Sequence, residues 1–162
     1  MTYFINSDIL NQQHQVTTHS AKQTTSASAN TFTTITGSEI TFTPHSDATY
    51  VIYEIGFYAQ VISYQSFQHI KFEYSTDSGS SWSEFDVNLG KNFGPSSSDD
   101  YYRNMMYLKY VVPTWSGARQ LKISSASHQS SRQTEFHQVT DWDGTGNITD
   151  RFCNTNLIVY SI

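Results

Sequence analysis

Ser75, Asp77, Gly79 and Trp82 stand in the order Ser-x-Asp-x-Gly-x-x-Trp within EYSTDSGSSWSEF, residues 73–85. A carboxylate and an indole in a serine-rich stretch raise the question of sugar chemistry. The same residues also specify a hairpin corner. Asp77 is suited to accept hydrogen bonds from backbone N–H groups in the turn, and Gly79 to supply a positive φ. Trp82 then folds back over the loop. None of these roles touches a substrate, so the stretch is read as a structural turn.

The other chemically capable residues form no working set. Asp141, Asp143 and Asn147 in DWDGTGN suggest the start of a calcium loop, but Gly144 follows the second Asp directly and no bidentate Glu comes later. A tight turn between strands is expected there. The histidines at 14, 19, 45, 69, 128 and 137 contain no H-x-H or H-x-x-x-H pair. Many serines are present, yet no G-x-S-x-G elbow anchors a Ser/His/Asp triad. Glu54 and Glu73 lie in strand-like runs, and whether they face each other as glycosidase carboxylates do is a spatial matter. Cys153 is the single cysteine, which excludes an internal disulfide and a multi-cysteine zinc site. It is expected to be a buried, inert thiol beside the RFCNTNLIVYSI run. No catalytic residue, cofactor or metal is expected, and the chain is read as non-enzymatic.

The Ser-x-Asp-x-Gly-x-x-Trp order resembles the Asp box, best known as a repeated feature of sialidase propellers. A sialidase implies several such boxes on a propeller of four-stranded blades, which 162 residues cannot supply. It also implies a basic clamp for the sugar carboxylate, whereas Arg103, Arg119, Arg132 and Arg151 are scattered. The turn is shared with that family; the activity is not expected.

The elements that position these residues are strands. Runs such as EITFTP, YVIYEIGFYAQVI, HIKFEYS, YYRNMMYLKYVV, RQLKISS, TEFHQVTDW and NLIVYSI are β-branched and aromatic, and Gly, Pro, Asp and Ser punctuate them. TFTTIT and WSEFDVNL read the same way. No long helical stripe and no internal repeat interrupts the pattern. An all-β fold is expected, an antiparallel jelly-roll sandwich spanning residues 31–162. Residues 1–30 are polar and rich in Ser, Thr and Gln, and read as an extended N-terminal arm. Within them YFINSDIL suits equally a short helix capped by Ser7 or Asp8 and a docking strand.

Composition narrows the partners. Charged residues make up 14% of the chain and aromatic residues 15%, against roughly 25% charged in ordinary soluble domains. A net charge of −5 with no run of Lys or Arg argues against nucleic-acid binding. No apolar run approaches the roughly 20 residues of a helical membrane span, and the opening residues carry no basic leader, so neither a membrane nor a signal peptide is expected.

Two strands are apolar on both faces. Val51, Tyr53, Ile55, Phe57, Ala59 and Val61 alternate with Tyr50, Ile52, Glu54, Gly56 and Tyr58, while Leu157 and Val159 oppose Ile158, Tyr160 and Ile162. A sandwich strand open to water on one side is polar on that side. The second face therefore needs a cover, and a symmetry mate is the expected one. Ile52, Tyr58, Ile158, Tyr160 and Ile162 are assigned to a subunit interface.

The order GSEITFTPHSDATYVIYEIGFYAQ, FEYSTDSGSSW, ARQLKISSAS, FHQVTDWDGTGN and NLIVYSI, over residues 37–162, resembles the trimeric jelly-roll domains of structural proteins in tailed, marine bacteriophages. Those domains are similar in fold to tumour necrosis factor and the globular head of complement component one q. The resemblance implies a homotrimer and a place in the virion, and it brings no catalytic residues. A capsid decoration or cement protein is the expected function, with the major capsid protein or another virion protein as partner. Tyr3, Phe4, Ile5, Ile9 and Leu10 are the expected anchor on that partner. The alternative is a trimeric tail-fibre tip or adhesin that binds a host glycan, with Tyr101, Tyr102 and Trp115 as stacking residues. FGPSSSDDYYRNMMY matches nothing in the resemblance and reads as a variable outer loop.

Overall fold

Two layers grow from the two strands that alternate most strongly. The computed structural model describes residues 9–26, 28–61, 67–93, 102–130, 132–142 and 148–162. In β5 (Tyr50–Val61) the side chains of Val51, Tyr53, Ile55, Phe57 and Ala59 point into the core. Along one edge β5 pairs over its whole length with β9 (Tyr102–Pro113). Its other edge is shared by β14 (Thr155–Ser161), opposite residues 51–56, and β11 (Thr134–Phe136), opposite residues 59–61. The far side of this first sheet is closed by β1 (Asn11–Thr17) on β14 and β2 (Gln23–Thr24) on β11.

The second sheet is centred on β6 (Gln68–Ser75) and β10 (Arg119–Ser127). The short strands β3 (Thr33–Thr34) and β4 (Ile40–Phe42) extend it beyond β10. On the other side, β7 (Ser83–Glu84) and β8 (Lys91–Phe93) extend it beyond β6. The chain crosses between layers at β4–β5–β6 and again at β8–β9–β10–β11, and every pairing is antiparallel. This is an all-β sandwich of the jelly-roll kind. A separate hairpin joins β12 (Gln138–Trp142) to β13 (Ile148–Phe152). Among the described residues there is no α-helix, only one 3-10 turn at Val87–Leu89.

Aromatic rings fill the space between the sheets. Phe72 from β6 stacks on Tyr110 from β9 and on Phe85, each at 4.6 Å between ring centroids, and leans on Tyr53 at 4.7 Å. The Tyr53 hydroxyl donates to the Ser38 carbonyl at 2.6 Å, which satisfies its one polar atom in the core.

Two runs depart from the expected strands for local reasons. In WSEFDVNL only Ser83 and Glu84 pair, because Phe85 is drawn onto Phe72 and Asp86 accepts the Asn88 N–H at 2.8 Å to start the 3-10 turn. TEFHQVTDW is broken at His137, whose φ of 72° is left-handed and cannot continue a ladder.

The N-terminal segment is woven into the first sheet. All of β1 pairs with β14, although Gln12, Gln13 and His14 are exposed. Backbone hydrogen bonds hold this strand rather than burial, so its side chains carry no alternation to read. Of the expected anchor, Ile9 is half-buried and Leu10 is 41% exposed. Tyr3, Phe4 and Ile5 lie outside the described residues, as do Ser7 and Asp8.

Candidate functional site

The pairing register places one row of side chains from each strand on the outer face of the first sheet. Val111 and Tyr160 flank Ile52; Lys109 and Ile158 flank Glu54; Tyr107 and Asn156 flank Gly56. Those neighbours already cover much of β5. Ile52 is 6% and Tyr58 7% exposed in a single chain, so neither offers much area to a partner. Ile158, Tyr160 and Ile162 are half-buried. The open apolar surface sits on the rows beside them, with Tyr107 76% and Val111 47% exposed. Sequence reasoning passed over both, although Tyr107, Lys109 and Val111 alternate on one side of YYRNMMYLKYVV. Tyr107 lies low over the sheet because Gly56 makes room: a Cβ there would meet Tyr107 Cε1 at 2.9 Å.

One polar cluster crosses this face. Lys109 Nζ donates to Glu54 Oε1 at 2.8 Å, and the Tyr160 hydroxyl donates to the same oxygen at 3.0 Å. The Lys109 hydrogen bond, with a smaller contribution from Tyr160, holds the Glu54 carboxyl below its ordinary pKa despite partial burial. The lysine is raised in turn, chiefly by Glu54. A shallow cleft of about 280 Å³ lies beside the cluster, between Tyr107, Lys109 and Ile158. A carboxylate so engaged is not a free base. Glu73 does not complete a catalytic pair with it. Glu73 neighbours the core residue Phe72 on β6, so it points out of the second sheet and accepts from Ser124 Oγ at 2.5 Å. The two glutamates stand on opposite outer faces of the sandwich.

The Ser75–Trp82 corner is built from its own side chains. Asp77 accepts from Ser75 Oγ at 2.6 Å, from the Ser81 N–H at 2.9 Å and from Ser81 Oγ at 2.5 Å. Gly79 adopts φ +86° and donates its N–H to Ser75 Oγ at 2.9 Å. The Trp82 ring lies across the corner, with Lys122 Nζ 3.8 Å from its centroid. Hydrogen bonds from Ser75, then Ser81, hold the Asp77 carboxyl at about 2, against an ordinary 3.8. A depressed carboxyl stabilises the fold above its unfolded pKa, and that contribution disappears as pH falls through the folded value. Asp77→Ala is therefore expected to lower the melting temperature by a constant amount from neutral pH down to about pH 5. The gap to wild type then narrows between 3.8 and about 2. Scanning calorimetry across that range checks it; a gap that widens on acidification contradicts the role.

The remaining candidates are dispersed. Trp115 is buried in the core cluster, with the Arg119 guanidinium 5.0 Å from its ring, and does not form a stacking platform. Tyr101, Asp143, Gly144 and Asn147 lie outside the described residues. Tyr102 and Asp141 are placed by their backbones at the ends of β9 and in β12. Cys153 is half-buried and its N–H donates to the His137 carbonyl at 2.7 Å. His14 is exposed on β1, His45 lies near Asp47, and His69 bonds Asn92. His19 and His137 do meet, as stacked rings 3.7 Å apart, a pair that no sequence spacing announces. Among the described residues no group of three His, Cys, Asp or Glu is placed to hold a metal ion. No protein-family model and no curated protein matches the chain.

Proposed function

We propose that the protein is a non-enzymatic structural subunit of a bacteriophage virion, a homotrimer that decorates or cements the capsid. The observation that carries the assembly is the outer face of the first sheet. Tyr107 and Val111 stand open there beside Ile158, Tyr160 and Ile162, where a sandwich face exposed to water is normally polar. The charges on this face are paired, Glu54 with Lys109 and Tyr160, which lowers the cost of covering it. Covering a matched pair strands no charge, whereas covering a lone one does. The virion setting is supported by the order of sequence motifs from residue 37 onward, which resembles phage jelly-roll domains, and the engaged state of Glu54 supports the non-enzymatic reading.

Light scattering of the purified chain combined with antibody labelling of phage particles tests this. The expected result is a trimer in solution and label spread over the capsid. Label confined to the tail tip, with binding to a glycan array, would replace the decoration protein by the fibre-tip adhesin. A stable monomer at micromolar concentration and particles without label would overturn both.

A further inference from the structure

The segment joining β1 to β2 is fastened at a place where two imidazoles lie face to face. His19, from that segment, stacks on His137 at 3.7 Å between centroids, with the planes 5° apart. His137 is fully buried at the β11–β12 corner, and His19 is half-buried. Both reach Thr155 Oγ1, at 2.9 Å from His19 Nε2 and 3.3 Å from His137 Nδ1.

The surrounding amide selects one neutral arrangement. Gln23 Nε2 donates to the Thr34 carbonyl and Gln23 Oε1 accepts the Thr36 N–H, so Oε1 is the atom presented to His137 Nε2 at 3.4 Å. An acceptor there requires His137 to carry its proton on Nε2. Nδ1 then accepts the Thr155 hydroxyl, and Thr155 Oγ1 accepts from His19 Nε2. The Thr155 hydroxyl has a second acceptor in the Thr36 carbonyl at 3.4 Å, so a second proton on His137 Nδ1 turns that hydroxyl away and leaves a buried imidazolium among neutral dipoles.

Among the described residues no carboxylate is bonded to either ring. Glu135 of β11 is ion-paired with Lys22 and bonded by Gln60 of β5. Lys22 itself is the cation of the segment that carries His19. Among the described residues, Cys153 and Tyr58 also adjoin the corner, and the hydrogen bonds that tie them to His137 run through backbone atoms; Arg151 of β13 is a further cation, opposite Val139.

We propose that the His19–His137 stack is an acid-sensitive latch, closed when both rings are neutral and released on protonation, freeing the β1–β2 segment from the β11–β12 corner. Burial, reinforced by His19, holds His137 down to about 3, and burial lowers His19 as well. A histidine depressed in the closed state stabilises that state above its ordinary pKa of about 6.5 and loses the contribution as pH falls below it. For His137 alone, the closed-to-open ratio is expected to fall about 25-fold between pH 7 and pH 5.

Hydrogen exchange on the full chain, corrected for intrinsic rates, reads this out. Peptides covering residues 11–25 are expected to lose protection by about that factor from pH 7 to pH 5, while those from β5 keep theirs. His137→Asn retains an acceptor for Thr155 and suits a left-handed backbone; its profile is expected to lose the His137 share and keep only the smaller response of His19. An equal acid response in that variant, or none in wild type, overturns the latch. Should the variant not fold, imidazole carbon resonances of the wild type decide: His137 must titrate only as protection of residues 11–25 is lost. An imidazolium at position 137 with the segment still protected overturns the proposal as well.

Discussion

Replacing Tyr107 and Val111 together by aspartate is expected to turn the proposed trimer into folded monomers. The two residues lie on alternate positions of the outer row of β9, 76% and 47% exposed. Burying the surface that each still exposes contributes roughly 1–2 kcal/mol. The aspartates forfeit that gain and add the cost of burying unpaired carboxylates. A combined loss of at least about 4 kcal/mol weakens each subunit contact about a thousandfold. The fold is expected to be weakened only modestly, because the core row of β5 and β9 is untouched and the loss is confined to the cover over Gly56 and Ile52. Light scattering at micromolar concentration gives the mass, and circular dichroism confirms an unchanged β spectrum. A variant that stays trimeric removes this face from the interface. A variant that unfolds shows instead that Tyr107 supports Gly56 and the sheet beneath it.

The sheets were legible because buried strands write their pairing into side chains. In β5 the inner row Val51, Tyr53, Ile55, Phe57 and Ala59 is where alternation puts it. Alternation also shows that the outer row is apolar. It does not show which neighbouring strand covers which residue. Ile52 lies between Val111 and Tyr160, and that shelter depends on register with strands about 60 and 108 positions away. The same limit hid Tyr107, which is exposed because, among the described strands, β9 pairs only with β5. The strand β1 was illegible for the opposite reason: it pairs through its backbone while Gln12, Gln13 and His14 face solvent. The corner at Asp77 was readable because all its partners are within four residues. The His19–His137 stack joins residues far apart in the chain, and one of them adopts a left-handed conformation that its residue type rarely announces.

Phe72→Ala is expected to cost about 3–5 kcal/mol, the usual range for emptying a buried phenylalanine site. Phe72 is 1% exposed and touches Tyr53, Tyr110 and Phe85 through ring faces, so none of them can close the gap without leaving its own partner. For a chain of this length the loss corresponds to a fall in melting temperature of roughly 6–20 °C. Tyr110→Phe serves as the control within the same stack. It keeps the ring and deletes a buried hydroxyl that has no hydrogen-bond partner among the described residues, so its stability should lie within about 1 kcal/mol of wild type or above it. Calorimetry of the two variants separates ring packing from polar satisfaction. A Phe72→Ala loss below about 1 kcal/mol would mean that the rings do not set the spacing of the sheets. The consequence reaches the surface, because Tyr53 and Tyr110 sit on β5 and β9 directly between the residues of the outer row. With Phe72 removed those strands lose their inner support, and the proposed trimer is expected to dissociate at a lower temperature than that of wild type, in step with the calorimetric transition.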